Sequence, residues 1–361
     1  MTVEERAVNF LRRLLDAPGP SGYEGIPAQI WCEEAATFAD EVTHDILGNS
    51  YARVRARGDA EDAPRVLLAG HIDEIGFVIT HIDEEGYLWF SPLGGWDHQV
   101  VVGQRMRLVG RGGEVVGVIG KKAAHLLKEE DRKKPTELDD MWIDIGARDR
   151  ADAEERVAVG DPVVIDSRFL ELPNELAVSR SMDNRVGAFV AHEAARLIAQ
   201  DRCAAEVYAV ATTQEEITFG GAYTASFRTP STVAIAIDLT HPTDYPGADK
   251  RRNNEVKLGG GPVLSRGATI NDGVFHGLRE AARSLDIPVA VQAWGASSGT
   301  DIDAMIRSGP GTATGIVSVP SRYIHSPNEM VHLGDVENAA KVIAGFIRTL
   351  TSESDFRPGS R

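Results

Sequence analysis

Two adjacent carboxylates, Glu215 and Glu216, close an apolar run over 204–213 and stand just before Gly220-Gly221. The run is rich in β-branched and aromatic residues and ends in a turn signal, so it reads as a buried strand. Neighbouring side chains in extended backbone point to opposite sides. One acid of the pair could then hold a metal while the other faces a water. The ordinary alternative is a solvated strand end, since glutamates mostly sit in water.

The same placement recurs along the chain. His71 follows an apolar run over 66–69, with Asp73 two residues on, and Asp238 ends another over 233–237. Asp183 opens a stretch of helical periodicity, and His325 follows Arg322-Tyr323-Ile324. Each has an ordinary explanation. Asp183 makes a good helix N-cap, Asp238 could start the turn before His241-Pro242, and the two histidines are drawn from ten in the chain. Recurrence at the carboxyl ends of apolar strands, where α/β folds carry function, argues against five separate ordinary explanations. Two histidines and three carboxylates are the donors a pair of borderline divalent ions wants, with a bridging carboxylate holding them ~3.5–4 Å apart. A fourth carboxylate is then free to act as general base. Asp73 would accept from the second ring nitrogen of His71 and fix its tautomer.

Elements that could position these groups are readable in outline. Thr2-x-x-Glu5 is a capping-box pattern ahead of Val8, Phe10, Leu11, Leu14 and Leu15 at helical spacing. Gly19-Pro20-Ser21-Gly22 breaks that helix, and a second is predicted over 26–38. From 76 to 166 the texture changes to short β-rich runs separated by glycine-bearing turns, which predicts a small barrel or sandwich. Within it, 121–140 is highly charged and is expected to be a mobile loop. α/β texture returns after Pro173: a helix from Asp183, strands over 207–213, 233–238, 289–294 and 314–319, and a last helix over 336–350 capped by Asp335. The expected organisation is an α/β domain of residues 1–75 and 167–361 interrupted by a β-rich insert, 76–166.

Composition narrows the function classes. A net charge of -16 argues against nucleic acid or an anionic membrane as partner, while favouring cationic ligands such as a free amino terminus. The two cysteines, Cys32 and Cys203, form no CxxC and signal neither a zinc ribbon nor a disulfide framework. No apolar stretch approaches a membrane span, and 1–11 carries charge where a signal peptide needs an apolar core, so a cytoplasmic location is expected.

Seven segments carry a resemblance: GPSGYE (19–24), GHIDEIGFVI (70–79), LGGWDHQVVVGQR (93–105), MDNRVGAFV (182–190), QEEITFGGA (214–222), SSGTDIDAM (297–305) and RYIHSPNEMV (322–331). In order and over essentially the whole chain they resemble the tetrahedral dinuclear metallo-aminopeptidases. That group includes glutamyl and deblocking aminopeptidases, some once labelled endoglucanases. The resemblance implies a zinc-peptidase-like α/β/α sandwich with a PDZ-like dimerisation barrel. It implies two divalent ions per chain, zinc or cobalt. His71 and Asp238 would bind one, Glu216 and His325 the other, and Asp183 would bridge. Glu215 would be the base that deprotonates the attacking water, and Asp73 would orient His71. Substrates would be short peptides with a free N-terminus, and dimers would assemble into a hollow tetrahedral dodecamer. Departures at Ile217-Thr218-Phe219, at the loop after Asp238 and at Ser297-Ser298 touch no implied ligand and bear on specificity.

Three other readings fit less of the chain. An N-acyl amino acid deacylase would share the metal site and differ in its pocket. A glycosidase needs two carboxyls facing each other across a sugar, ~5–9.5 Å apart, and has no use for His71 or His325. An inactive scaffold would have lost a ligand, and none is missing.

Overall fold

The computed structural model describes residues 5–60, 62–110 and 112–357. Four parallel strands form its centre, in the order Glu206–Thr212, Arg65–His71, Val233–Thr240, Ala313–Arg322. Val66 and Leu68 pack into the core on one face while Leu67 and Ala69 pack into that on the other. This period-two split is why the strands read as unbroken apolar runs. Helices Glu5–Asp16, Gly25–Ala35, Met182–Gln200, Asp272–Ser284 and Leu333–Arg348 cover the first face. Gly220–Arg228 and Ile302–Met305 cover the second. The result is the expected α/β/α sandwich.

Antiparallel strands extend the sheet: Ser50–Val54 and Glu41–His44 beyond one side, and Glu329–His332, Leu176–Ser179 and Leu170–Leu172 beyond the other. Val263–Gly267 and Ala290–Trp294 branch off Ala313–Arg322. Because the central strands are parallel, their carboxyl ends share one edge, the place where open α/β sheets bind ligands.

One close approach sets the site. A Cβ on Gly70 would lie 2.2 Å from the carbonyl carbon of Gly187. Only without it can helix Met182–Gln200 touch strand Arg65–His71 so closely, bringing Asp183 beside His71.

The β-rich insert closes as an antiparallel barrel of Gly76–Ile82, Leu88–Leu93, Met141–Asp144, Gly113–Lys121, Arg105–Gly110 and Pro162–Ile165. Phe77, Ile79, Leu88, Met106, Ile119, Ile143 and Val163 give it a core of its own. The loop after Leu88–Leu93 folds back on the barrel: the Trp96 indole N–H donates to the Gly76 carbonyl at 3.0 Å, and Trp96 stacks on Phe77. The charged 121–140 segment holds three short 3₁₀ turns rather than a plain loop. It is tied down by buried Leu138 and by a Lys121–Thr136 hydrogen bond of 2.7 Å.

Two local expectations change. The second helix stops at Ala35, short of 38, and the Thr37 hydroxyl donates back to the Glu34 carbonyl. The last helix is capped by His332, whose Nδ1 accepts from the Gly334 N–H. Asp335 is no cap: it is buried and accepts from the N–H groups of Gly259 and Gly261, at 2.7 and 2.8 Å. Thr2 of the capping box lies outside the described residues, although a helix does begin at Glu5. Among the described residues no helix is long and apolar enough to cross a membrane.

Candidate metal centre

The strand before the acidic pair ends at Thr212, and Gln214 turns the chain with a left-handed φ of 56°. Glu215 and Glu216 then open a one-turn helix, Glu215–Thr218. Their backbone is therefore helical, not extended as the sequence suggested. Three buried acceptors hold the turn. The Gln214 N–H donates to Glu24 Oε1 at 3.1 Å, the Glu215 N–H to Asp73 Oδ1 at 3.1 Å, and the Glu216 N–H to Asp73 Oδ2 at 3.2 Å. The two side chains still diverge. Glu215 Oε2 reaches to 3.6 Å from His71 Nε2, and Glu216 Oε1 to 3.4 Å from His325 Nε2.

Asp183 does not act as a helix cap. It sits in a non-helical first turn, φ -79° and ψ 107°, and points its carboxylate between two imidazoles. His71 Nε2 lies 3.4 Å from Asp183 Oδ1, and His325 Nε2 3.5 Å from Oδ2. Asp238, from strand Val233–Thr240, completes the His71 side. Nδ1 of His71 lies 3.3 Å from the Asp73 backbone carbonyl and 3.4 Å from its carboxylate. The carbonyl is thus at least as good an acceptor for the ring as the side chain expected there. All seven predicted residues converge on one end of the sheet.

The donors fit divalent cations. Two ligand atoms ~2.0–2.1 Å from one cation at a tetrahedral angle lie roughly 3.3–3.4 Å apart. The imidazole–carboxylate separations of 3.4–3.5 Å between His71 and Asp183, His325 and Asp183, and His325 and Glu216 match that, and are long for hydrogen bonds. Ligand atoms within 4.8 Å of one another form three groups among the described residues: His71, Asp183 and Asp238; Asp183, Glu216 and His325; and His71, Glu215 and Glu216. The first two share Asp183. Imidazole with carboxylate suits zinc or cobalt better than calcium or magnesium.

Charge in the site is unbalanced in the same sense. Burial, then the carboxylates of Asp238, Asp301 and Glu216, pushes Glu215 up to about 11 against the pull of His71. Burial and Asp183 hold Asp238 well above the usual carboxylate range. Burial pulls His325 down, but Glu216 and Asp183 outweigh it and raise it to about 9. His71 is likewise raised well above normal, because Glu215, Asp183 and Asp73 overcome its burial. Acids raised by burial and by one another, beside histidines raised by those acids, mark a site short of positive charge.

Sequence reasoning passed over three buried acids here. Glu24 accepts the Gln214 and Gly22 N–H groups. Asp301 accepts the Thr212 hydroxyl at 2.5 Å, and burial raises it to about 6. Glu329 accepts two N–H groups, from Asp183 and His325. All three lie inside the segments that carry the resemblance, but each also bonds a group far away in the chain (Gln214, Thr212 and Asp183), which no residue spacing records.

Comparison with known proteins agrees with this geometry. The profile of the M42 glutamyl aminopeptidase family matches residues 48–342. A lysyl aminopeptidase of Pyrococcus furiosus is 33% identical over 97% of this chain and 99% of its own length. The crystal structure of a TET aminopeptidase from a marine sediment thaumarchaeon superposes with a TM-score of 0.90 at 34% identity, covering 96% of this chain and 98% of that one. A Pyrococcus horikoshii TET1 peptidase, described as assembling into a tetrahedron or a large octahedral shell, gives a TM-score of 0.84 at 30% identity, over 95% of this chain and all of the other. Over that extent of sequence and fold, the chain belongs to the M42 glutamyl aminopeptidase family and is a peptide hydrolase of the tetrahedral aminopeptidase type.

Proposed function

We propose that this aminopeptidase removes N-terminal residues from short peptides using two divalent cations, zinc or cobalt, with Glu215 as general base. The observation that carries the reading is Asp183, whose two oxygens face two imidazoles from opposite sides at 3.4 and 3.5 Å. Held by His71, Asp183 and Asp238 on one side and by Asp183, Glu216 and His325 on the other, the cations would supply Lewis acidity to a water and to the scissile carbonyl.

The chain's own groups do the rest. Glu215 is the acid that neither of the two groups sharing Asp183 requires. Burial and neighbouring acids hold its proton in the metal-free site; with two cations bound its pKa would be drawn down, leaving the carboxylate open to accept a proton. It would take a proton from water as the oxygen attacks the peptide carbon. It would then return that proton to the leaving nitrogen as the C–N bond breaks. Asp73, bonded to the N–H groups of both glutamates and facing His71, would hold the arrangement in register. The surrounding carboxylates favour a substrate that brings a free ammonium group. The aminopeptidase names among the relatives favour this over N-acyl amino acid deacylation.

Residues 1–75 and 167–361 would form the catalytic unit and 76–166 a dimerisation unit. Self-association into a shell, a dodecamer in the tetrahedral form, is proposed from the TET1 relative.

The test is hydrolysis of Leu, Glu, Lys and Ala p-nitroanilides by chelator-stripped protein, with zinc or cobalt added back. Metal-restored cleavage is expected, and the best substrate names the pocket. In the same assay Glu215→Gln should lose about 10²–10⁴ in kcat with its metal content unchanged. A variant that instead loses its metals would show Glu215 to be a ligand and not the base.

A further inference from the structure

Glu329 is 1% exposed and bonds both of its oxygens to backbone. Oε1 accepts the His325 N–H at 2.8 Å, and Oε2 accepts the Asp183 N–H at 2.9 Å. Neither N–H has a place in a helix or strand ladder. His325 stands at φ 60° in the turn after strand Ala313–Arg322, and Asp183 lies in the first turn of its helix, where N–H groups have no intrahelical acceptor. Glu329 itself is fixed. Its strand, Glu329–His332, is paired on one side with Leu176–Ser179 and on the other with Ala313–Arg322.

We propose that Glu329 is a positioning residue that sets the spacing of Asp183 and His325 and so builds one half of the metal centre, that of Asp183, Glu216 and His325. The other half is held by different contacts. Asp73 faces His71, and the Asn184 side-chain amide donates to the Ile237 carbonyl, at 2.8 Å, next to Asp238. Asp183 is common to both halves but His325 belongs to one, so a change at Glu329 should weigh most on the side of Asp183, Glu216 and His325. The inference rests on the dinuclear reading above.

Glutamine at 329 keeps the size of the side chain but can accept at only one of the two positions; its NH₂ would face the other N–H. Calorimetric titration of chelator-stripped protein with zinc chloride reads the consequence. Wild type is expected to take up two ions. Glu329→Gln should bind one with at most a small loss of affinity and the other roughly 10–100-fold more weakly. Glu329→Asp keeps the charge but is one methylene too short to span both N–H groups, so it should weaken the same site most. It also carries the comparison if the glutamine variant does not fold. Wild-type protein binding fewer than two ions would defeat the dinuclear reading itself. Wild type binding two, with Glu329→Gln equal to it at both sites or weakened alike at both, would overturn the role of Glu329. Full rescue by aspartate would overturn it too, because charge and not two-point attachment would then be the operative property.

Discussion

Asp73 lies at 0% exposure, and the groups its carboxylate meets are donors: the N–H groups of Glu215 and Glu216, and the His71 ring 3.4 Å away. Burial raises its pKa, but His71 and these N–H bonds more than reverse that, so the carboxylate is the form that fits. Asparagine would place an NH₂ against one of these donors, and a buried donor without an acceptor costs on the order of 1–3 kcal/mol. Asp73→Asn should therefore displace both glutamates at once. Affinity for both cations is expected to fall about 10–100-fold, in contrast to the mainly one-sided effect expected at Glu329, and a zinc titration of this variant checks it. Unchanged affinity at the Glu216 side would sink the idea that Asp73 holds the pair. At this scale the sequence was informative about residue type and misleading about conformation. It placed Glu215 and Glu216 at the site through an extended-strand argument, whereas their divergence comes from a left-handed turn at Gln214. Glutamine is not a residue that advertises positive φ. The acceptors that stabilise the turn, Glu24 and Asp73, come from elsewhere in the chain.

Between elements, a buried ion cluster ties three parts of the sandwich together. Glu74, just past the His71 strand, pairs through both oxygens with Arg180 and Arg185, which flank the start of the Asp183 helix. Arg185 also donates to the carbonyls of Ile72, Leu14, Ala17 and Gly19, and Arg180 to those of Asp16 and Ala17. The end of the first helix is thereby fastened to the loop and helix that present His71 and Asp183. Burial lowers Arg185 to about 10, and the Glu74 carboxylate works against that fall. Removing one member of such a cluster strands the others, at a cost of roughly 3–5 kcal/mol. Glu74→Gln should show that loss as a lower urea midpoint at unchanged slope. A loss below about 1 kcal/mol would mean that the carbonyls alone satisfy the arginines. The elements joined here were legible because their periodicities are long and regular. Their ends were not: Asp335 has the type and position of a cap, yet burial turned it onto Gly259 and Gly261 and left the cap to His332. The barrel was visible from its close-set β runs and glycine turns, whereas its closure by pairing Gly76–Ile82 with Pro162–Ile165 is long-range and leaves no local mark.

For the molecule as a whole, a net charge of -16 and a knot of buried acids make stability without metal depend on pH. The direction follows from proton counts. Glu215 (about 11), Glu24 (about 7), Asp301 (about 6), Asp238 and Glu329 are all raised, chiefly by burial. The folded chain therefore keeps protons that the unfolded chain gives up near pH 4–4.5. His325 (about 9) and His71 are raised as well, so their contribution is complete below about pH 6.5 and fades as pH climbs toward their folded values. Buried His192 and the partly desolvated but exposed His241 are lowered and act oppositely near pH 6.5. Lowered Asp73 and Asp183 have made their contribution by about pH 5. The raised groups outnumber those that oppose them, so the folded state binds more protons and metal-free stability falls as pH rises. Each such proton is worth about 1.4 kcal/mol per pH unit. Cations held by the same ligands must displace these protons, so their stabilisation grows with pH. Melting of chelator-treated protein from pH 5.5 to 8.5, with and without zinc, should show a midpoint that declines without the ion and a zinc increment that widens. A metal-free midpoint that climbs across this window would mean that the acids around Asp183 are not the protonated, cation-seeking cluster described here.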